Sequence, residues 1–460
     1  MSRRAHAIAI AFLLVSSASI AAAQRRPPRT PPRTTAPETS FAIVGATVRP
    51  GDGPAIEGAT IIVRGERIVS VGVGTAAPAG ATVIDGTGLV VTPGLISTMT
   101  PIGLGEIELE QSARDSAPEG EDPTADPIRA AFSAADGYNP LSTLIPVARL
   151  GGITTAMSVP EGGLVPGTSA WVDLAGRAPD DVIAREILAL HVSLNDSGIA
   201  AAGGARSSAI TRLRELFEDA RLFARQRAAF DRGDFRDTDI SRLDLERVTQ
   251  ALAGTIPVVI KVSRASDILR TMALAREYGL RLVIAGAEEG WMVARQLADA
   301  NVPVIVQPLT NLPERFSSLH ARYDNAALLS RAGVRVILME AGAWDVRNLR
   351  QEAGNAVAWG MDPDAALAAI TSIPAEVFGM DADYGTIAPG RIANLVIWSG
   401  DPFELTTSPV RVIVRGRDVP LRSRQTLLLE RYRSLDTVPR GWTTIRRPEE
   451  PATEPIGTTD

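Results

Sequence analysis

Short β-branched runs alternate with turn signals from Phe41 to Pro93. Ala42 to Val48, Thr60 to Arg64 and Arg67 to Val73 are parted by Gly51-Asp52-Gly53-Pro54 and Gly65-Glu66, and Val83-Ile84 and Leu89 to Thr92 flank Asp85-Gly86. The pattern predicts hairpins of a small antiparallel sheet. It returns at Ala393 to Trp398 and Val410 to Arg415, with Gly416 to Val419 behind them. Both chain ends, 41–93 and 386–420, are therefore expected to close one composite β-domain of sandwich type around whatever lies between.

Between them, apolar runs alternate with amphipathic stretches. Gly94 to Met99, Ile153 to Ser158, Ile256 to Val262, Arg281 to Ile284, Pro303 to Val306 and Val334 to Met339 read as strands, several without polar alternation, as strands covered on both faces should be. Ala265 to Tyr278 and Gly290 to Ala300 have helical period, 207–254 is mostly helix with a solvated charged face, and a further helix begins near Asp324. Alternating strands and helices imply a parallel sheet with crossover helices. The fold class predicted is α/β, a TIM-type (β/α)8 barrel over 94–385, with Glu186 to Val192 as a candidate for a missing strand.

The termini read differently. Arg3 and Arg4 precede the apolar run Ala7 to Val15 and the small residues Ala21-Ala22-Ala23, the pattern of a secretory signal peptide over 1–23. The apolar core falls short of the roughly 20 residues of a membrane span. A Pro-rich linker (24–40), a C-terminal helix and extension (421–446) and a disordered Pro/Glu/Thr tail (447–460) complete the division, with a periplasmic or secreted location expected and no membrane span in the mature chain. Export through the general or the twin-arginine route is left open.

Composition narrows the chemistry. A formal charge of -6 and aromatics at 5% give no footprint for nucleic acid. With no Cys, stability rests on core burial. Only His6, His191 and His320 are present, too few for a multi-histidine metal centre. No G-x-S-x-G accompanies the serines, and Pro160 to Thr168 lacks the Lys-Ser/Thr of a phosphate loop.

Three segments, 60–68, Val83-Ile84-Asp85-Gly86-Thr87-Gly88 and Val91-Thr92-Pro93-Gly94-Leu95-Ile96, resemble the N-terminal region of amidohydrolase-superfamily proteins, in particular imidazolonepropionase-like periplasmic hydrolases. Gly152-Ile153-Thr154-Thr155, 264–268, Asn348 to Ala353, Ala368 to Ala375, Gly385 to Gly390 and Gly400-Asp401-Pro402 continue the resemblance over about 41–419. It implies hydrolysis of non-peptide carbon-nitrogen bonds in cyclic amides, imidazolones or dipeptide-like molecules. The family does this with zinc or another divalent metal at the C-terminal ends of the barrel strands.

The ligand positions depart from that pattern. Ser97-Thr98-Met99-Thr100-Pro101 stands where Asp-x-His-x-His is expected, the next histidines fall on Lys261 or Ser263 and on Gly286, and the final Asp becomes Glu340. No cofactor is therefore expected, although an oxygen-only site for magnesium, manganese or calcium could draw on Glu106, Glu108, Glu161, Glu288, Glu289 or Glu340. His191 and His320 read as ordinary satisfied or surface histidines. Lys261 is the single lysine among 47 basic residues and falls at a strand end. The candidate catalytic pair is Lys261 and Glu340, the ammonium replacing the charge of the metal and pairing with Glu340 or Glu161, with snorkelling to solvent as the plain alternative and a base or Schiff-base lysine as a third. Met99, Glu161, Ser263, Gly286 and Asp345 are pocket candidates, with Trp344 beside them. The partner expected is a small-molecule substrate or ligand, and a homo-oligomer is left open. The rival reading is a noncatalytic pseudoenzyme that binds a small ligand in the barrel mouth.

Overall fold

The strand-forming runs of the two chain ends meet in one sheet. The computed structural model describes residues 40–107, 109–117, 126–340 and 342–433. The segment read as a signal peptide, all of the linker but Ser40, Glu108 and residues 434–460, which hold the end of the extension and the tail, lie outside the described residues. Strands β1 (Ser40–Val48), β2 (Ile56–Arg64), β3 (Arg67–Val73), β4 (Thr82–Asp85) and β5 (Val90–Pro93) come from the N-terminal side, and β14 (Leu395–Trp398), β15 (Pro409–Val414) and β16 (Arg417–Val419) from the C-terminal side. They run in the order β16-β15-β14-β5-β1-β2-β3, with β4 also on β1. Pairing is not antiparallel throughout. β4 lies parallel to the first half of β1 and β5 parallel to its end, because β1 bulges between Ile43 and Ala46 and offers its free edge to two strands in turn. Ile43, Ile61, Val91, Leu395 and Ile413 form the separate core of this domain.

The second sheet holds β6 (Leu95–Thr100), β7 (Ile153–Ser158), β8 (Gly167–Asp173), β9 (Ile183–Ser193), β10 (Val258–Val262), β11 (Leu282–Gly286), β12 (Val304–Val306) and β13 (Val336–Leu338), hydrogen-bonded in that order. The strand read from Glu186 to Val192 exists as β9. β8 was not predicted as a barrel member, and it runs antiparallel to both neighbours. The sheet curls into a nearly closed barrel. Its seam is bridged by main chain rather than by a strand: Leu338 N donates to Ala369 O (3.1 Å) and Ile96 N to Ile370 O (2.9 Å).

Period-two alternation sorts the barrel residues into two cores. Val258, Ile260 and Val262 of β10 face outward into a cluster with helix residues such as Leu213, Phe217, Ile268 and Leu274. Val259, Val283, Ile305, Ile337, Met157 and Trp171 fill the interior, and Phe378, Met380 and Tyr384 join them. The outer helices include Arg206–Arg225, Arg242–Leu252, Ala265–Tyr278 and Asn325–Arg331. The stretch from Gly290 begins as a 3-10 turn, Gly290–Val293, before the helix Ala294–Asp299. No described helix is long and apolar enough to cross a membrane.

The barrel floor is joined to the composite sheet by buried polar groups. Because β8 is reversed, its last residue, Asp173, lies at the N-terminal end of the barrel beside Thr155. Its carboxylate accepts from Tyr384 Oη (3.0 Å), Asn394 Nδ2 (2.9 Å) and Thr155 Oγ1 (3.2 Å), and pairs with Arg415 (3.3 Å). Gly152 precedes β7 at the same end with φ +84, where a Cβ would stand 2.5 Å from the Trp398 ring. The glycine lets the composite domain approach this closely.

Candidate active site

At the opposite end, β10 carries Lys261 on the face of Val259, directed to the barrel interior, yet the side chain is exposed because the mouth is open to water. A cavity of about 130 Å³ opens there, and its lining includes Met99, Glu161, His191, Ser193, Asn195 and Lys261. The β9 and β10 register places Ser193 opposite Lys261 and His191 opposite Val259. Of the positions anticipated from sequence, Met99, Glu161 and Lys261 thus share one cavity. Ser263, Gly286, Glu340 and Asp345 do not line it.

The expected pairing of Lys261 with Glu340 or Glu161 is corrected: among the described residues its ammonium has no ion pair or side-chain hydrogen bond. A hydrated ammonium in an open mouth escapes the desolvation that would force a partner on it. Glu161 is also exposed, and its carboxylate accepts one hydrogen bond, from Ser116 Oγ (3.0 Å). It also borders a neighbouring cavity of about 310 Å³, with Glu106, Ala343 and Trp344.

Glu340 is 3% exposed and stands two residues beyond β13. Its Oε1 accepts a short hydrogen bond from Ser97 Oγ on β6, and Oε2 has no partner among the described residues. Burial pushes its carboxyl up to about 8, despite the Ser97 bond, with Glu352 and Asp345 adding to the rise. Glu352, buried beneath Gln307 Nε2 (3.0 Å) and Leu309 N (2.9 Å), is also raised by burial. Asp345, raised by burial too, accepts from Asn348 Nδ2 (2.7 Å) and begins a turn of 3-10 helix. It acts locally there.

Gly286 ends β11 with φ +88, and a Cβ would meet Val262 O and Glu288 Oε2, each at 3.3 Å. That strand end is a backbone turn and not a platform for a side chain. Ser263 serves through its carbonyl, which accepts from Glu289 N (3.1 Å). Met99 adopts φ 59, a strained conformation for an unbranched bulky residue, where the first expected imidazoles would stand.

His191 is the residue that sequence reasoning undervalued. It is 2% exposed, its Nε2 pairs with Ser169 Oγ (2.8 Å), and its Nδ1 has no partner among the described residues. It is therefore not a fully satisfied core histidine. Burial depresses it to about 3, so the ring is neutral at physiological pH. Alternation along β9 was the available signal, since it places His191 and Ser193 on one face. His320 has a clear role: its backbone N and Nδ1 both contact Glu289 Oε1 (3.1 Å each), while Glu289 Oε2 accepts from Ala265 N (3.0 Å) at the start of the long helix.

The donors at the positions where the sequence resemblance led one to expect ligands do not suit a divalent ion. Gly286 has no donor, the Lys261 ammonium repels cations, Met99 offers only a thioether, and Glu340 favours its protonated form. Among the described residues no group of three or more His, Asp or Glu side chains is gathered closely enough to hold a metal, the oxygen-only alternative included. No chemical step is derived through such an ion.

The comparisons with known proteins follow the same outline. Residues 241–419, from the helix before β10 to β16, match the model of the amidohydrolase family. An amidohydrolase from Thermotoga maritima MSB8 superposes with a TM-score of 0.75 and 25% identity, covering 83% of this chain and 100% of that one. Molinate hydrolase shares the fold at a TM-score of 0.53 and 17% identity, over 89% of this chain and 99% of its own. The amidohydrolase tasK of Hapsidospora irregularis is 37% identical over 65 residues, 14% of this chain, and the chain spans only 7% of that protein's length. The family match is thus confined to the C-terminal part of the chain, and the likeness in fold to the Thermotoga maritima amidohydrolase extends over most of it.

Proposed function

We propose that this protein is an exported hydrolase that opens carbon-nitrogen bonds of small cyclic amides, imidazolones or dipeptide-like molecules at the barrel mouth, without the family's imidazole-held metal. The observation that carries the reading is that Lys261 and Glu161 line one cavity at the C-terminal ends of the strands, each free of an ion pair. Opposite charges left apart in this way can act on two parts of one substrate.

In this reading Lys261 Nζ donates to the substrate carbonyl oxygen and stabilises the negative charge that grows there as the carbon becomes tetrahedral. The Glu161 carboxylate takes a proton from the attacking water and returns it to the leaving nitrogen as the carbon-nitrogen bond breaks, giving a carboxylate and an amine. Ser193 and Asn195 orient the substrate from the adjoining strand end. Glu340 is a positioning residue, acting through Ser97 on the strand that carries Met99.

The test is hydrolysis by the purified chain of a panel of cyclic amides, imidazolones and dipeptides, with and without chelator. Turnover indifferent to chelation and reduced by about 100-fold or more in Lys261→Met and Glu161→Gln is expected. Turnover abolished by chelation and restored by zinc would overturn the metal-free mechanism. Saturable binding of a panel member without product would replace it by the noncatalytic reading. Fractionation of the native host, with the protein found in the envelope or medium, checks export.

A further inference from the structure

A second cavity lies on the outside of the barrel, between helix Arg206–Arg225 and helix Ala265–Tyr278. Its volume is about 600 Å³, within the range of sites for small organic ligands. It shares no lining residue with the cavity around Lys261. One wall is apolar, formed by Leu194, Ile199, Ile210 and Leu274. Four guanidinium groups, those of Arg206, Arg214, Arg264 and Arg270, complete much of the rest.

Their charges are unequally compensated. Arg206 is paired with Asp267 (2.7 Å) and Asp196 (3.6 Å), and Arg214 with Glu277 (2.9 Å). Arg264 donates only to the carbonyl of Phe316 (3.1 Å), which cancels no charge. Arg270 has no ion pair or hydrogen bond among the described residues. Four cations against three carboxylates leave a net charge of about +1, which suits a monoanion. A third feature is independent of charge. Thr271 lines the same cavity, is fully buried, and its Oγ1 has no partner among the described residues. A threonine inside a helix ordinarily spends this hydroxyl on a carbonyl of the preceding turn. Here a buried donor is left over beside unpaired cations and an apolar wall.

We propose that this cavity binds a small amphipathic carboxylate. The headgroup lies against Arg264 and Arg270, the buried Thr271 hydroxyl donates to it once its side chain rotates toward the cavity, and the hydrocarbon portion covers the Leu194, Ile199, Ile210 and Leu274 wall. An inorganic anion would leave that wall wet, and a neutral alcohol would leave the guanidinium groups unanswered.

Isothermal titration of the full chain with octanoate, inorganic phosphate and 1-octanol tests this. Octanoate is expected to bind saturably at one site per chain, at least about tenfold more tightly than either control. The Arg264→Ala/Arg270→Ala double variant should weaken octanoate by about tenfold or more, and Thr271→Val by a few-fold. Both arginines reach solvent, so circular dichroism should show the double variant folded. Lys261→Met should leave octanoate binding unchanged, which separates this proposal from the reading of the barrel mouth. Absence of saturable octanoate binding, equal affinity for phosphate, or full affinity in the double arginine variant would overturn it.

Discussion

The two ends of the barrel differ in how their buried carboxylates are met. At the floor, both oxygens of the buried Asp173 are used by Tyr384, Asn394, Thr155 and Arg415, which come from the barrel and from the composite domain. At the mouth, His191 Nδ1, Glu340 Oε2, Glu288 Oε2 and Thr98 Oγ1 are buried without partners among the described residues, and Met99 and Ala287 hold left-handed backbone conformations. Unpaired buried groups and backbone strain cost stability, and folds tolerate them where a ligand is met. The difference teaches where this chain invests in rigidity and where it keeps unused valence. The family resemblance alone would have pointed to the mouth, but the contrast with the floor identifies which groups there are uncommitted.

The comparison can be broken most forcefully at the floor. Asp173→Ala leaves Arg415, Asn394 and Tyr384 facing a buried void, and a loss of about 3–5 kcal/mol is expected. Thermal and urea unfolding measure it, and a loss no larger than that of an exposed substitution would deny the floor its structural role. The mouth is sharpened by pH. Glu340 has a raised folded pKa, so the stability linked to it is fully present below the unfolded value of 4.5 and is lost as pH rises through about 8. Glu340→Gln should flatten that alkaline decline in a series of urea titrations from pH 4 to 9.

His191 has the opposite sign. Its folded pKa lies near 3 against 6.5 for the free side chain, so the associated stability is present above 6.5 and is lost as pH falls toward 3. His191→Gln should remove this acid limb and leave the alkaline one in place. The smallest effect is expected at Gly286, where Ala must adopt φ +88 at a cost of about 1–2 kcal/mol. Crystallography of that variant should find the β11 turn displaced and the interior core unmoved.

Much of the architecture was legible because it rests on local pattern. The run Ile153 to Ser158 and the period of Ala265 to Tyr278 coincide with an observed strand and helix, and Lys261 stands near the end of a barrel strand. The reversed β8 was harder to read. Its residues Gly167 to Asp173 are buried at every position, and no period reveals strand direction. The site was only partly readable, for a related reason. Ser97 and Glu340 are 243 positions apart, so nothing local announces their contact. A fixed charge at Lys261 could be inferred from residue usage, but whether a carboxylate approached it depended on how open the mouth was.

The bridge at Ala369 and Ile370 gives Glu340 a further meaning. β13 and β6 border the gap that this bridge spans, and Ser97 belongs to β6 while Glu340 follows β13. Their side chains therefore form a clasp across the least continuous join of the barrel. Glu340 is in this respect a fastener between the first and last staves. Amide exchange at Ile96 and Leu338 would then report the charge on one carboxyl group, and the barrel's tendency to breathe along this line would rise with pH.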